Sequence, residues 1–264
     1  MEIITSRANE RVKIIARLCD SEQKRAESGM CVVHGIKLCM EVKRLGGELA
    51  ELWFTEAARG KYASQLAELE LCTAKTVTMS DSVCEKLSPQ RSPQGVLAVV
   101  ALPQKKSVDA HGQLGMQNRL LVLCSVQDPA NVGAMFRTAA ALGFGGVVLS
   151  NGCADPFSPK ALRASMGAVY SVPLAYTDCE LKTIETLKVC GYSVIATALT
   201  DKSMDISNVP KSGKMAILIG NEGTGLCAET IESCDITAVI PITDRVESLN
   251  AASAAAIAMW VLRT

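Results

Sequence analysis

Aromatic residues make up only 4% of this 264-residue chain. So small a supply argues against a surface that binds RNA by stacking bases on exposed rings. Histidine is scarcer, with only His34 and His111. No C-x-x-C pair occurs among the eleven cysteines, so zinc-finger spacing is absent and no metal is expected. The cysteine count is odd and the spacing irregular, which predicts reduced thiols and a cytoplasmic setting rather than a disulfide framework. No run of about 18 apolar residues occurs, and the opening MEIITSRANERVK has no apolar signal segment, so no membrane partner is expected. Net charge is missing as well, because 27 Lys and Arg balance 27 Asp and Glu. A polyanionic partner would have to be met by a local basic patch.

What the chain does have is apolar content of 48%, enough for a sizeable core. The least periodic stretch is PQKKSVDAHGQLGMQN, read as a linker over 104–118 between domains at 1–103 and 119–264. The first half begins with a charged helical segment carrying Arg7, Arg11, Lys13, Arg17, Lys24 and Arg25. Strands at VVHG, ELWFTE and QGVLAVVAL alternate with helices over Ile36–Leu45 and Ser80–Leu87, which predicts a small α/β domain. The second half alternates more strongly. LLVLCSV, GGVVLS, SVIATAL, MAILIG and TAVIPI are short apolar strands, separated by helical segments and followed by a closing helix over Leu249–Arg263. That pattern predicts a mostly parallel sheet covered on both faces.

Ligands of open parallel sheets sit beyond the carboxyl ends of the strands, so the turns there matter most. Asp128–Arg137, DPANVGAMFR, follows the first strand of the second half. Pro129 and Asn131 mark a helix start. Arg137 lies four residues after Gly133, on the same face, and leans back over it towards the helix start. It could bind an anion there or pair with Asp128. The next turn, GNEGTGL over Gly220–Leu226, is not a G-x-G-x-x-G fingerprint. Its three glycines let backbone approach a ligand closely, or they simply make a tight turn. In the last, Ser248 is expected to cap the closing helix with Asn250 in its first turn, which leaves Arg245 and Glu247 unexplained. A subsidiary run around Lys160 and Arg163 offers a phosphate-contacting surface, or a solvated basic turn.

The order D-P-x-N-x-G-x-x-x-R, then G-N-E-G-x-G-L, then I-P-I-x-x-x-V-x-S-L-N resembles the SpoU/TrmH family of RNA ribose 2′-O-methyltransferases. The resemblance runs from about Leu120 to Trp260. The upstream half, through VVHGIKLCMEVKRLGGELAELWFTE and RSPQGVLAVV, resembles the substrate-binding domain that precedes the catalytic domain in many members, with His34-Gly35 where Glu-Gly is frequent. The resemblance implies an α/β fold whose C-terminal domain is a trefoil knot, an S-adenosyl-L-methionine cofactor and a homodimer. It implies a cofactor cleft lined by Gly220, Ile240 and Leu249, and polar active-site positions at Asn131, Arg137, Glu222, Ser248 and Asn250. Arg137 is then expected to act on the ribose hydroxyl, with Asn131 and Glu222 orienting it. Arg7, Arg11, Lys160 and Arg163 are the expected RNA contacts. Structured RNA is the expected partner, ribosomal RNA first and tRNA as the alternative. A non-catalytic RNA-binding or ribosome-assembly factor and a nicotinamide-dependent oxidoreductase are the rival readings. The glycine order speaks against the last.

Overall fold

The computed structural model describes residues 2–88, 90–104 and 118–263, so nearly all of the expected linker lies outside the described residues. The chain divides into two compact units, Met1–Gln104 with Asp155–Ser171, and Lys105–Ala154 with Val172–Thr264.

The first unit opens with β1 (Glu2–Ile4), α1 (Glu10–Asp20) and α2 (Glu22–Ser28). One basic segment becomes two helices at Ser21. Its N–H bonds to the Arg17 carbonyl and its hydroxyl accepts from Lys24 N, so it closes α1 and caps α2. There follow β2 (Met30–His34), α3 (Ile36–Arg44), β3 (Leu49–Phe54), α4 (Glu56–Lys61), α5 (Ala63–Glu70), β4 (Lys75–Met79), α6 (Asp81–Leu87) and β5 (Val96–Ala101). The sheet order is β1-β4-β3-β5-β2. β5 runs antiparallel to both neighbours, while β1, β4 and β3 are parallel. Val12, Ile15 and Leu18 of α1 are buried with Val32, Trp53, Val77 and Leu97 of the sheet.

The second unit begins with β6 (Arg119–Leu123), α7 (Pro129–Ala141) and β7 (Gly146–Ser150). The chain then supplies Asp155–Ser171, with α8 (Pro159–Ser165), to the first unit. A continuous domain over 119–264 therefore omits this exchange, for which local reasons are evident. Arg25 Nε donates to Asp155 at 2.5 Å, the two side chains being 5% and 10% exposed. The Arg25 guanidinium also donates to the Leu18 and Cys19 carbonyls, so the buried charge is fully engaged. Tyr170 lies 3.1 Å from the Cys31 thiol.

The second unit resumes with β8 (Leu174–Thr177), α9 (Glu180–Val189), β9 (Tyr192–Thr197), β10 (Met204–Asp205), β11 (Lys214–Ile219), α10 (Ala228–Glu232), β12 (Ile236–Val239) and α11 (Ala251–Leu262). Its seven strands run β10-β12-β9-β11-β6-β7-β8, and every pair is parallel. β6 and β7 are buried throughout, as expected of strands covered on both faces. Ile219 is level with Leu123, Leu218 with Ala196, and Ala238 with Thr197. The loops after β6, β9, β11 and β12 consequently leave the sheet along one edge. Among the described residues no helix is long and apolar enough to cross a membrane.

Candidate active site

Each of the three turns singled out in the sequence is shaped by local chemistry. Asp128, not Asn131, starts α7. Its carboxylate accepts from Ala130 N at 2.9 Å and Pro129 supplies the first helical position. Asn131 is thereby turned inward within the first turn and is only 7% exposed.

The 220–226 turn is closed by its own backbone. Asn221 and Gly225 exchange both main-chain hydrogen bonds, and Gly225 has φ +69°. A Cβ on Gly220 would lie 2.3 Å from the Gly225 carbonyl carbon, so only glycine fits. The Asn221 side chain accepts from Gly223 N and Thr224 N, and donates to the Ser125 carbonyl at 2.8 Å. Ser125 is itself left-handed at φ 54°, a strained setting for a residue with a Cβ. Ser150 Oγ, accepting from its N–H, helps hold it there.

Glu222 projects from the same turn towards α7. Its carboxylate accepts from the N–H groups of Gln127 and Asp128, each at 3.0 Å, and from Asn131 Nδ2 at 2.9 Å. Desolvation pushes its pKa upward, but the donors outweigh it and leave the carboxyl below its usual value. Asn131 Oδ1 in turn accepts from Asn250 Nδ2 at 3.1 Å. Asn250 is the N-cap of α11, accepting from Ala252 N and Ser253 N. The helix begins at Ala251 rather than Leu249, so the expected cap at Ser248 is replaced by Asn250. Ser248 is exposed and precedes the helix by three residues.

Asn131, Glu222 and Asn250 thus form one hydrogen-bonded chain spanning all three turns. Arg137 does not join it. It is exposed on α7 and makes no hydrogen bond or ion pair with any described residue, Asp128 included. The expected orienting bonds from Asn131 and Glu222 to Arg137 are not present; those two side chains bond to each other, to the Gln127 and Asp128 N–H groups and to Asn250. Ile240 and Leu249 are half-buried in the segment between β12 and α11, and α11 packs on α7 and β11. Asn221, whose side chain shapes the 220–226 turn, carries a recognisable sequence signal that was not singled out, an Asx residue two before a glycine in a turn. Leu199 stands 84% exposed just after β9, on the edge of the sheet where these loops leave it.

Of the expected RNA contacts, all four fall in the first unit. Arg7 donates to the Ser82 carbonyl and Glu85, while Arg11 pairs with Glu2 and Glu51 and lies over Trp53. Their charge is already countered. Lys160 and Arg163 are exposed on α8. His34, at the end of β2, has its pKa pulled down to about 4 by burial and then by Arg163, so it is neutral near pH 7. Among the described residues no cluster of three or more His, Cys, Asp or Glu could hold a metal ion.

Comparison with known proteins bears on this arrangement directly. Residues 118–260, which contain all three turns, match the SpoU rRNA Methylase family. The chain belongs to the SpoU family. Residues 9–98 of this SpoU protein match the MRM3-like substrate binding domain. Among its relatives is the 23S rRNA (guanosine(2553)-2′-O)-methyltransferase RlmP of Bacillus subtilis, 30% identical over 263 residues and covering 100% of both chains. The 23S rRNA (guanosine-2′-O-)-methyltransferase RlmB of Acinetobacter baylyi is 33% identical over 180 residues, 67% of this chain and 73% of that one. Among solved structures, the AdoMet-bound rRNA methyltransferase from Sinorhizobium meliloti superposes with a TM-score of 0.86 at 27% identity, covering 99% and 97% of the two chains.

Proposed function

We propose that this SpoU protein transfers a methyl group from S-adenosyl-L-methionine to a ribose 2′-hydroxyl of structured RNA, with large-subunit ribosomal RNA as the substrate. The observation that carries the reading is the joining of Asn131, Glu222 and Asn250, one from each family turn, into a single bonded chain, with Arg137 exposed on the same helix as Asn131 and making no hydrogen bond or ion pair with any described residue. RlmP and RlmB, both named as 23S rRNA 2′-O-methyltransferases, support ribosomal over transfer RNA.

The residues present suit the cofactor. Apolar side chains of Leu199, Ile242 and Val246 stand 84%, 42% and 54% exposed in the loops after β9 and β12, a surface that favours a partly apolar ligand. Gly220 brings bare backbone to the same edge, and Ile240 and Leu249 complete the lining. When bound, the cofactor supplies an electrophilic methyl on a sulfonium. The protein's task is to place the hydroxyl oxygen in line and to ease loss of its proton. Arg137 does this as a cation rather than as a free base, since a guanidinium stays protonated below about pH 12. Its side chain, unengaged by the protein, grips the hydroxyl and the neighbouring phosphate. Lys160 and Arg163, exposed on α8, contact RNA phosphates from the first unit, together with Arg7 and Arg11. Ser248, exposed before α11, positions the ribose.

The reading includes a trefoil threading of the C-terminal segment, supported by the return of α11 to β11 and α7 after β12. It includes a homodimer, supported by Ile257 and Trp260 at 39% and 57% exposure along α11. It also includes a cytoplasmic setting, supported by eleven cysteines that form no disulfide with one another. The test is transfer of labelled methyl to ribosomal RNA, followed by mapping of the blocked ribose. Methylation of tRNA alone would reassign the substrate, and no transfer to either would refute the reading.

A further inference from the structure

The chain Glu222–Asn131–Asn250 has backbone donors at both ends. At one end the N–H groups of Gln127 and Asp128 point at Glu222. At the other, those of Ala252 and Ser253 point at Asn250 Oδ1. Each asparagine amide offers one donor side and one acceptor side. A row of such amides passes polarity along without reversing it. Two sets of donors facing inward from opposite ends must therefore meet at a group that only accepts. Without one, two N–H groups face each other somewhere along the row.

Glu222 is that group. Because its carboxylate cannot donate, Asn131 must present Nδ2 to it and Oδ1 to Asn250. Asn250 must then present Nδ2 to Asn131, leaving Oδ1 for the α11 amides. One ionised side chain thus sets the orientation of two amides and the start of α11. Burial acts against its charge, but the three donors hold its pKa low, so the acceptor-only state persists near neutrality.

Resting on the reading above, we infer that Glu222 is a positioning residue: it fixes the polarity of this relay, and through it the entry of α11, without touching the reacting atoms. What the relay requires is one carboxylate in the row, not a carboxylate at position 222. Moving the charge by one place satisfies it again. In the double variant Glu222→Gln with Asn131→Asp, the amide introduced at position 222 donates to the carboxylate introduced at position 131. That carboxylate also accepts from Asn250, and α11 keeps its cap.

The experiment compares Glu222→Gln, Asn131→Asp and the double variant. Glu222→Gln alone leaves a donor facing a donor, and turnover should fall about 10- to 100-fold. Asn131→Asp alone sets two carboxylates against each other, and its lost turnover should partly return as the pH is lowered and one of them takes a proton. The double variant should exceed both singles in turnover and regain most of their lost melting temperature. It should do so incompletely, because an amide at position 222 has one oxygen to offer the two loop N–H groups where the carboxylate had two. A double variant no better than the poorer single, in both turnover and melting temperature, would overturn the inference. So would full turnover in Glu222→Gln. Recovery of melting temperature without recovery of turnover would assign the Glu222 carboxylate a direct chemical role and overturn it too. The melting measurement needs no substrate, so the relay can be judged even if the wild-type protein methylates no RNA, an outcome that would instead refute the proposed function.

Discussion

Asn250 donates to Asn131 at 3.1 Å across 119 residues of sequence, and in the same side chain caps the last helix. One residue therefore stabilises α11 and ties it to α7. Asn250→Ala removes the cap and leaves Asn131 Oδ1, in a nearly buried side chain, without its donor. The expected cost is about 2 kcal/mol, the sum of a typical cap and a modest hydrogen bond. Urea unfolding should register it as a lower midpoint with an unchanged slope. Asn250→Asp keeps the cap and places a second acceptor-only group in the row, facing Asn131 Oδ1, and should fall between alanine and wild type.

Arg137 makes no hydrogen bond or ion pair with any described residue that its removal would break. Arg137→Ala should change stability by no more than about 0.5 kcal/mol. Cofactor affinity, measured by calorimetry, should persist while turnover drops by about two orders of magnitude or more, in the range of a lost transition-state donor. Unchanged turnover would remove Arg137 from the chemistry.

Gly220→Ala forces a Cβ into the Gly225 backbone, which no side-chain rotation can relieve. The 220–226 turn must open. Binding of S-adenosyl-L-methionine should weaken by more than tenfold, roughly the effect of 1.4 kcal/mol. Gly223→Ala, whose Cβ would meet nothing closer than Asn221 Oδ1 at 3.5 Å, should be much milder.

His34 makes stability pH-dependent in a stated window. Its folded pKa of about 4 lies below the ordinary 6.5, so the unfolded chain binds more protons between those values. Its contribution is fully present above about pH 6.5 and is lost as the pH falls towards 4. The loss reaches about 3 kcal/mol at most, at roughly 1.4 kcal/mol per pKa unit. Unfolding midpoints from pH 7 to 4 should decline more steeply in the wild type than in His34→Gln. Parallel curves would show that His34 is not the group responsible.

The three turns, and the joining of Asn131, Glu222 and Asn250 within them, rest on residue types that stand out in the sequence because each has narrow physical uses. Pro129 after an Asx residue announces a helix start, and three glycines in six residues announce a tight backbone. Strand-forming runs such as MAILIG and LLVLCSV were legible for the same reason, since continuous apolar residues suit a strand buried on both faces. The roles within the site were not legible. Nothing in local spacing tells that Glu222 will be satisfied by Gln127 and Asp128, or that Asn250 rather than Ser248 will cap α11. Asp155–Ser171 reads as part of the second domain because it is surrounded by it in sequence. Only the buried pairing of Asp155 with Arg25 gives the reason for its grouping with the first unit.

By itself, the sequence determined the class of fold and the three turns, because hydrophobic period and turn chemistry are local properties, and the order of the three turn motifs carried the resemblance to the family. Tertiary structure alone decided which side chain bonds to which. Hydrogen-bond partners in a parallel sheet's loops are set by strand order, and strand order is settled by pairings between residues far apart in sequence, such as Met215 with Arg119.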